Sequence, residues 1–129
     1  MEYTLIVILV ALIQYSFFGL RTGVARPKYG VLPPKVTGNE TWERIFRVHQ
    51  NTLEQLVVFV PAMLTFSHYV SPRWAVALGI LFIIFRQIYS YLYIKNPPQR
   101  MFPPSFFINI ILVIGSLMGI VVQLVGTSG

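Results

Sequence analysis

The sequence predicts an all-α integral membrane protein built as a bundle of four transmembrane helices, and three observations carry that prediction. Hydrophobic residues make up 55% of the 129 positions and charged residues only 11%, with a mean hydropathy of +0.67. An average soluble domain is roughly 25% charged, so too few polar side chains remain here to wet the outside of one. The same apolar excess excludes a disordered tail. Four apolar segments separated by proline-marked breaks fill most of the chain, and its length allows one domain, residues 1–129. Lipid offers backbone groups no partner but each other, so each crossing must be a helix.

The first helix, roughly 3–20, runs from Tyr3 to Leu20, interrupted only by Thr4, Gln14, Ser16 and Gly19. About 20 helical residues cross a hydrocarbon core of about 30 Å. Met1-Glu2-Tyr3 lacks the basic start of a signal peptide and Phe18-Gly19-Leu20-Arg21 is a poor cleavage site, so the segment is read as a retained crossing helix. Arg26-Pro27 to Pro33-Pro34 is the expected first loop, because proline removes a backbone donor and disfavours helix before it. The second helix, 41–70, is apolar from Leu56 and extends backwards through Glu54, Leu53 and Asn51. Asn39 or Thr41 caps it, with Glu40 and Glu43 near its positive end. Ser71-Pro72 turns the chain into the third helix, 74–95, which carries Arg86, Gln87 and Ser90. Asn96-Pro97-Pro98 and Pro103-Pro104 frame the third loop, and the fourth helix, 105–125, has Asn109, Ser116 and Gln123 as its polar exceptions. Ala75-x-x-x-Gly79 and Gly115-x-x-x-Gly119 are small-residue packing signals, within or between chains.

Ten Lys and Arg against four Asp and Glu give a net charge of +6. Arg21, Arg26, Lys28, Lys35, Arg44, Arg47, Lys95 and Arg100 fall on one side of a four-helix chain, and the other side holds Arg73. The positive-inside rule places loops one and three in the cytoplasm and both termini across the membrane. Asn39-Glu40-Thr41 matches a glycosylation sequon but lies on the wrong side for use. The basic balance then reflects cytoplasmic loops and an anionic ligand rather than nucleic acid. The chain has no cysteine, which excludes disulfides, cysteine metal sites and a cysteine nucleophile. Any thiol must come with a ligand. His49 and His68 lack metal spacing, and no metal, phosphate-loop or catalytic-triad motif is present.

Arg44, Arg47, Asn51 and Glu54 recur at spacings of three, four and three, which puts them on one helix face within about 80°. Two arginines in the first turns oppose the helix dipole; dipole and guanidinium groups together would hold an anion. An interfacial arginine belt paired with Glu40, Glu43 and Glu54 explains the same spacing. Glu54 lies towards hydrocarbon and needs a partner. Arg86, at similar depth across the tight turn, is the expected one, as a structural ion pair or with Glu54 also accepting from a ligand amine. Tyr89 and Tyr93 share the Arg86 face and suit either a polar site or an aromatic belt. Arg100, in the third loop, suits a ligand with several carboxylates or a lipid headgroup.

The stretch Trp42-Glu43-Arg44-Ile45-Phe46-Arg47-Val48-His49-Gln50-Asn51-Thr52-Leu53-Glu54 resembles the E-R-x-x-R-x-x-x-N-x-x-E signature of the MAPEG family, the membrane-associated proteins of eicosanoid and glutathione metabolism. Its His49–Glu54 part is most similar to the microsomal glutathione S-transferase 3 branch, and Pro33-Pro34 resembles the first loop of the leukotriene C4 synthase branch. Arg86-x-x-Tyr89-x-x-x-Tyr93 followed by Arg100 resembles the family's third helix and the loop after it. Gln55 follows the signature glutamate, where synthase-like members often have tyrosine. The resemblance implies a homotrimer binding glutathione between subunits near the cytoplasmic side. Arg26, Arg47, His49, Asn51, Glu54, Tyr89 and Tyr93 would contact the tripeptide, and Arg100 would be the catalytic, thiolate-stabilising arginine. The implied activity is glutathione transfer, or glutathione-dependent peroxidase activity, on hydrophobic electrophiles or lipid hydroperoxides drawn from membrane lipid. Glutathione is the co-substrate and no metal is needed. Two other classes fit four short helices: a non-catalytic lipid-binding scaffold of the 5-lipoxygenase-activating type, and a small transporter with Glu54 as coupling carboxylate.

Overall fold

The computed structural model describes residues 1–95 and 104–128. Within them the chain forms four helices, α1 (Glu2–Tyr29), α2 (Glu40–Tyr69), α3 (Pro72–Lys95) and α4 (Ser105–Ser128). α1, α3 and α4 are long and apolar enough to cross a membrane. α2 is long enough at 30 residues, but its polar first half keeps it below that standard.

α1 runs on to Tyr29, past the end expected near Leu20, and Pro27 lies inside it. Only one intrahelical bond is lost there, the one Gly23 would have accepted. The end is held instead by Gly30, at φ 72°, whose N–H donates to Pro27 while Val31 donates to the Arg26 carbonyl. That pair of bonds is a Schellman ending, which needs a left-handed residue and so favours glycine. Val31 closes it by burying with Ala25, Trp42 and Ile45, and the Trp42 indole N–H donates to the Thr22 carbonyl at 3.1 Å. Arg21 and Arg26 are therefore helix residues, not loop residues.

α2 begins at a side-chain cap, the Asn39 carboxamide oxygen accepting from the Trp42 N–H at 2.9 Å. Pro72 occupies the first position of α3, where its missing donor costs nothing, and the Ser71 hydroxyl accepts from Trp74. α2 packs against α1, α3 and α4, and α3 also touches α1 and α4. The core lies along α2: Phe59 stacks on Phe82 of α3 at 3.9 Å, with Val7, Met63, Ile108 and Leu112 around them. The small-residue signals serve contacts within the chain. A methyl group at Gly79 would sit 2.7 Å from the Met63 Cε, and one at Gly115 would sit 2.6 Å from the Phe66 ring.

Candidate functional site

The polar face of α2 opens on a cleft of about 430 Å3 at its N-terminal end, lined by Glu40, Glu43, Arg44, Phe46, Arg47 and Tyr93. The helix period delivers Arg44 and Arg47 to it, and α3 brings Tyr93 up from the other side. Arg44 is committed: it pairs with Glu40 at 2.8 Å and donates to the Ile94 carbonyl at 3.4 Å, tying α2 to the end of α3. Arg47 is not. Its only ionic contact among the described residues is Glu54 at 3.8 Å, and the two side chains stay 56% and 55% exposed. A half-exposed guanidinium without a close hydrogen bond can receive a carboxylate from solution.

Asn51, one turn along the same face, is oriented from behind. Its carboxamide oxygen accepts from Arg86 at 2.8 Å, which leaves its NH2 group to donate elsewhere. Arg86 is fully buried, and at membrane depth such a cation must be satisfied by polar groups. The bundle supplies the Thr52 hydroxyl at 2.7 Å, the Ser105 hydroxyl at 3.3 Å and the Val48 carbonyl at 3.5 Å. The expected Arg86–Glu54 ion pair is therefore not formed. Arg86 points into the α2–α3–α4 core, where four neutral oxygens take its two terminal nitrogens and its Nε has no partner among the described residues, while Glu54 faces outward to Arg47.

The remaining candidates divide. Tyr89 is buried between Phe18 and Val48, beneath the Arg86 guanidinium, and stacks on Tyr93 at 5.4 Å. It supports Tyr93 rather than lining the cleft. Arg26 does not enter the cleft either: it donates to the Lys35 carbonyl at 2.7 Å and lies over the Trp42 ring. His49 stacks on Tyr15 of α1 at 4.7 Å and packs over Gly19. It sits about 200° around α2 from Arg47, on the opposite side. Arg100 lies outside the described residues.

A second feature escaped the sequence reading. Below the polar cleft, α2 and α4 border an apolar groove of about 270 Å3, lined by Val58, Ile110, Val113 and Ile114 with Gln55 and Asn109 as its polar members. Asn109 donates from one nitrogen to both the Gln55 backbone carbonyl, 3.1 Å, and the Gln55 side-chain oxygen, 2.9 Å. Both residues are visible in sequence, as a polar exception and as a departure from the signature. Their pairing needs the register between α2 and α4.

Fold and site together define a polytopic all-helical membrane protein with a charged cleft at the N-terminal end of α2. Residues 4–122 match the profile of the MAPEG family, and the chain belongs to that family. An uncharacterised protein of Synechocystis is 40% identical over 117 residues, covering 89% of this chain and 85% of that one. Human microsomal glutathione S-transferase 2 is 37% identical over 87 residues, 67% of this chain and 59% of the human one. Bovine leukotriene C4 synthase is 27% identical over 97 residues, 75% of this chain and 65% of the bovine one. The human relative is named as type 2, whereas the His49–Glu54 stretch of this chain by itself resembles type 3.

Proposed function

We propose that this chain is a membrane-bound glutathione transferase that also reduces lipid hydroperoxides at the same site. It binds glutathione in the Arg47 cleft and presents its sulfur as thiolate to a hydrophobic electrophile from the bilayer. The observation that carries this reading is the half-exposed, loosely paired Arg47 sharing a cleft with Tyr93, with Glu54 and the oriented Asn51 on the same α2 face. Glutathione offers two carboxylates, one ammonium and one thiol. Arg47 meets a carboxylate, Glu54 the ammonium and the Asn51 amide a carboxylate or carbonyl oxygen. The relatives named as glutathione transferase support the same ligand.

Arg26 and His49, on the α1 side of α2, complete the set only if a second copy presents them across the cleft. Such a shared site needs more than one copy, and the family resemblance makes that assembly a homotrimer. Loops one and three face the cytoplasm in this reading. Arg100 acts on the sulfur. A free thiol titrates at about 8.5, and each unit by which a neighbouring guanidinium lowers that value is worth about 1.4 kcal/mol. The thiolate then attacks the electrophile.

The test is a titration of purified protein in detergent with glutathione, followed by calorimetry and by thiolate absorbance. Saturable binding, with a thiolate signal whose midpoint lies below that of free glutathione, is expected. Arg100→Ala should remove that signal and lower turnover more than binding. Absence of saturable binding ends the reading.

A further inference from the structure

We propose that the outer edge of the α1–α3 seam binds one anionic phospholipid, with Arg21 holding its phosphate and Gln87 an ester carbonyl. The site is separate from the Arg47 cleft. The chain has four side-chain carboxylates for ten Lys and Arg. Glu40 is taken by Arg44, and Glu54 meets Arg47. Glu43 lines the α2 cleft, and Glu2 lies about 28 Å from Arg21 along α1. No side-chain carboxylate is left for Arg21. Its Nη2 donates to the Ser90 hydroxyl at 2.9 Å, and its guanidinium carbon lies 4.8 Å from the centre of the Phe18 ring. Its Nε is buried without a hydrogen bond, and Nη1, which reaches the surface, donates to nothing among the described residues. A guanidinium at the edge of hydrocarbon is costly unless an anion meets it, and phosphate matches its donors.

The seam supplies the rest of the lipid's chemistry. Gln14 donates from one nitrogen to the Ile83 carbonyl at 3.0 Å and to the Gln87 side-chain oxygen at 3.2 Å. The carbonyl can only accept, so Gln14 must present nitrogen and Gln87 must turn its oxygen inward. The NH2 group of the exposed Gln87 is left over, a donor with no partner among the described residues. Gln14, Arg21 and Lys28 recur every seven residues on α1, and Gln87, Tyr91 and Lys95 every four on α3, so polar groups follow both edges of the seam to the same end. Deeper along it, exposed Phe17 and Ile84 offer an apolar border. Ser90 lies about 8 Å from the end of α3, near the boundary between headgroups and hydrocarbon. A phosphate at Arg21 therefore puts the ester carbonyl within reach of the Gln87 N–H, one turn deeper, and an acyl chain between Phe17 and Ile84. A zwitterionic lipid has the same phosphate but brings its own cation among Arg21, Lys28 and Lys95, which favours the anionic one. Arg26, on the side that a second copy meets in the glutathione reading, lies about 140° around α1 from Arg21, so that assembly leaves this seam open.

The experiment titrates the purified full chain in detergent with phosphatidylglycerol and, separately, with phosphatidylcholine of the same acyl chains, and counts bound lipid by native mass spectrometry. One phosphatidylglycerol should bind per chain, about fivefold tighter than phosphatidylcholine. Arg21→Gln should bring that preference below about twofold, whereas Lys35→Gln, which removes the same charge from the first loop, should leave it unchanged. Gln87 is exposed, so Gln87→Leu probes the site without touching the core. It should weaken both lipids about threefold and keep the preference. Neither glutathione nor glycerophosphoglycerol, the headgroup without its chains, should displace the lipid. Equal binding of the two lipids by the wild-type chain, or an equal loss of preference in Arg21→Gln and Lys35→Gln, would mean only general attraction to a chain of charge +6 and overturns the site. Unchanged affinities in Gln87→Leu overturn it as well. Displacement by the free headgroup would make Arg21 a site for soluble anions, and displacement by glutathione would put the lipid in the Arg47 cleft; either result ends the assignment.

Discussion

Arg47→Ala separates binding from folding. The Arg47–Glu54 contact is 3.8 Å long and both side chains are more than half exposed. That is beyond hydrogen-bond distance and well screened, so its loss should lower stability by less than about 1 kcal/mol. In the complex, the same guanidinium would donate to a ligand carboxylate. A hydrogen bond to a charged group contributes about 1.5–3 kcal/mol, so its removal should weaken glutathione roughly 10- to 150-fold. Calorimetric titration gives the affinity, and denaturation in mixed micelles gives the stability of the same preparation. A variant that loses more than about 3 kcal/mol of stability, but binds glutathione as wild type in its folded fraction, would show Arg47 to be a strut and refute the argument.

Three further outcomes follow from the same contacts. Asn51→Asp keeps an acceptor for Arg86 but loses the amide donor, so unfolding should occur no earlier than in wild type while the glutathione Kd rises at least about tenfold. The cleft is open to solvent, so glutathione affinity should fall as salt rises from about 0.05 to 0.5 M, and a flat titration would argue against carboxylate capture by Arg47. Gly79→Val places its Cβ 2.5 Å from the Val7 Cγ1 and 2.7 Å from the Met63 Cε and should cost about 1–3 kcal/mol in a thermal-shift assay, and an unchanged melting temperature would show that these side chains give way.

Local chemistry made much of the architecture legible. Prolines at 72 and 104 and the Asn39 cap lie where backbone donors are missing or need partners, and those requirements do not depend on the rest of the fold. Pro27 was misleading for a related reason. A proline in the last turn of a helix costs one bond, and the Gly30 ending, with Val31 buried behind it, offsets that cost through contacts with α2. The site was legible to the extent that it lies on one helix. The spacing of Arg44, Arg47, Asn51 and Glu54 sets their angles about the α2 axis, and Arg47 and Glu54 do meet.

Sequence alone, then, determined four helices, the polar face of α2 that carries two arginines, and that the chain supplies no thiol of its own. Periodicity, capping and composition act within one segment at a time. Tertiary structure decided which neighbour each polar group would meet. Arg86 turned from Glu54 to the oxygens of Asn51, Thr52 and Ser105, His49 went to Tyr15, and Gln55 found Asn109. The physical reason is that a residue's angle on its own helix says nothing about which helix packs against that angle, or at what depth. In a membrane, where a buried polar atom without a partner is costly, that packing decides which groups are consumed by the fold and which remain for chemistry.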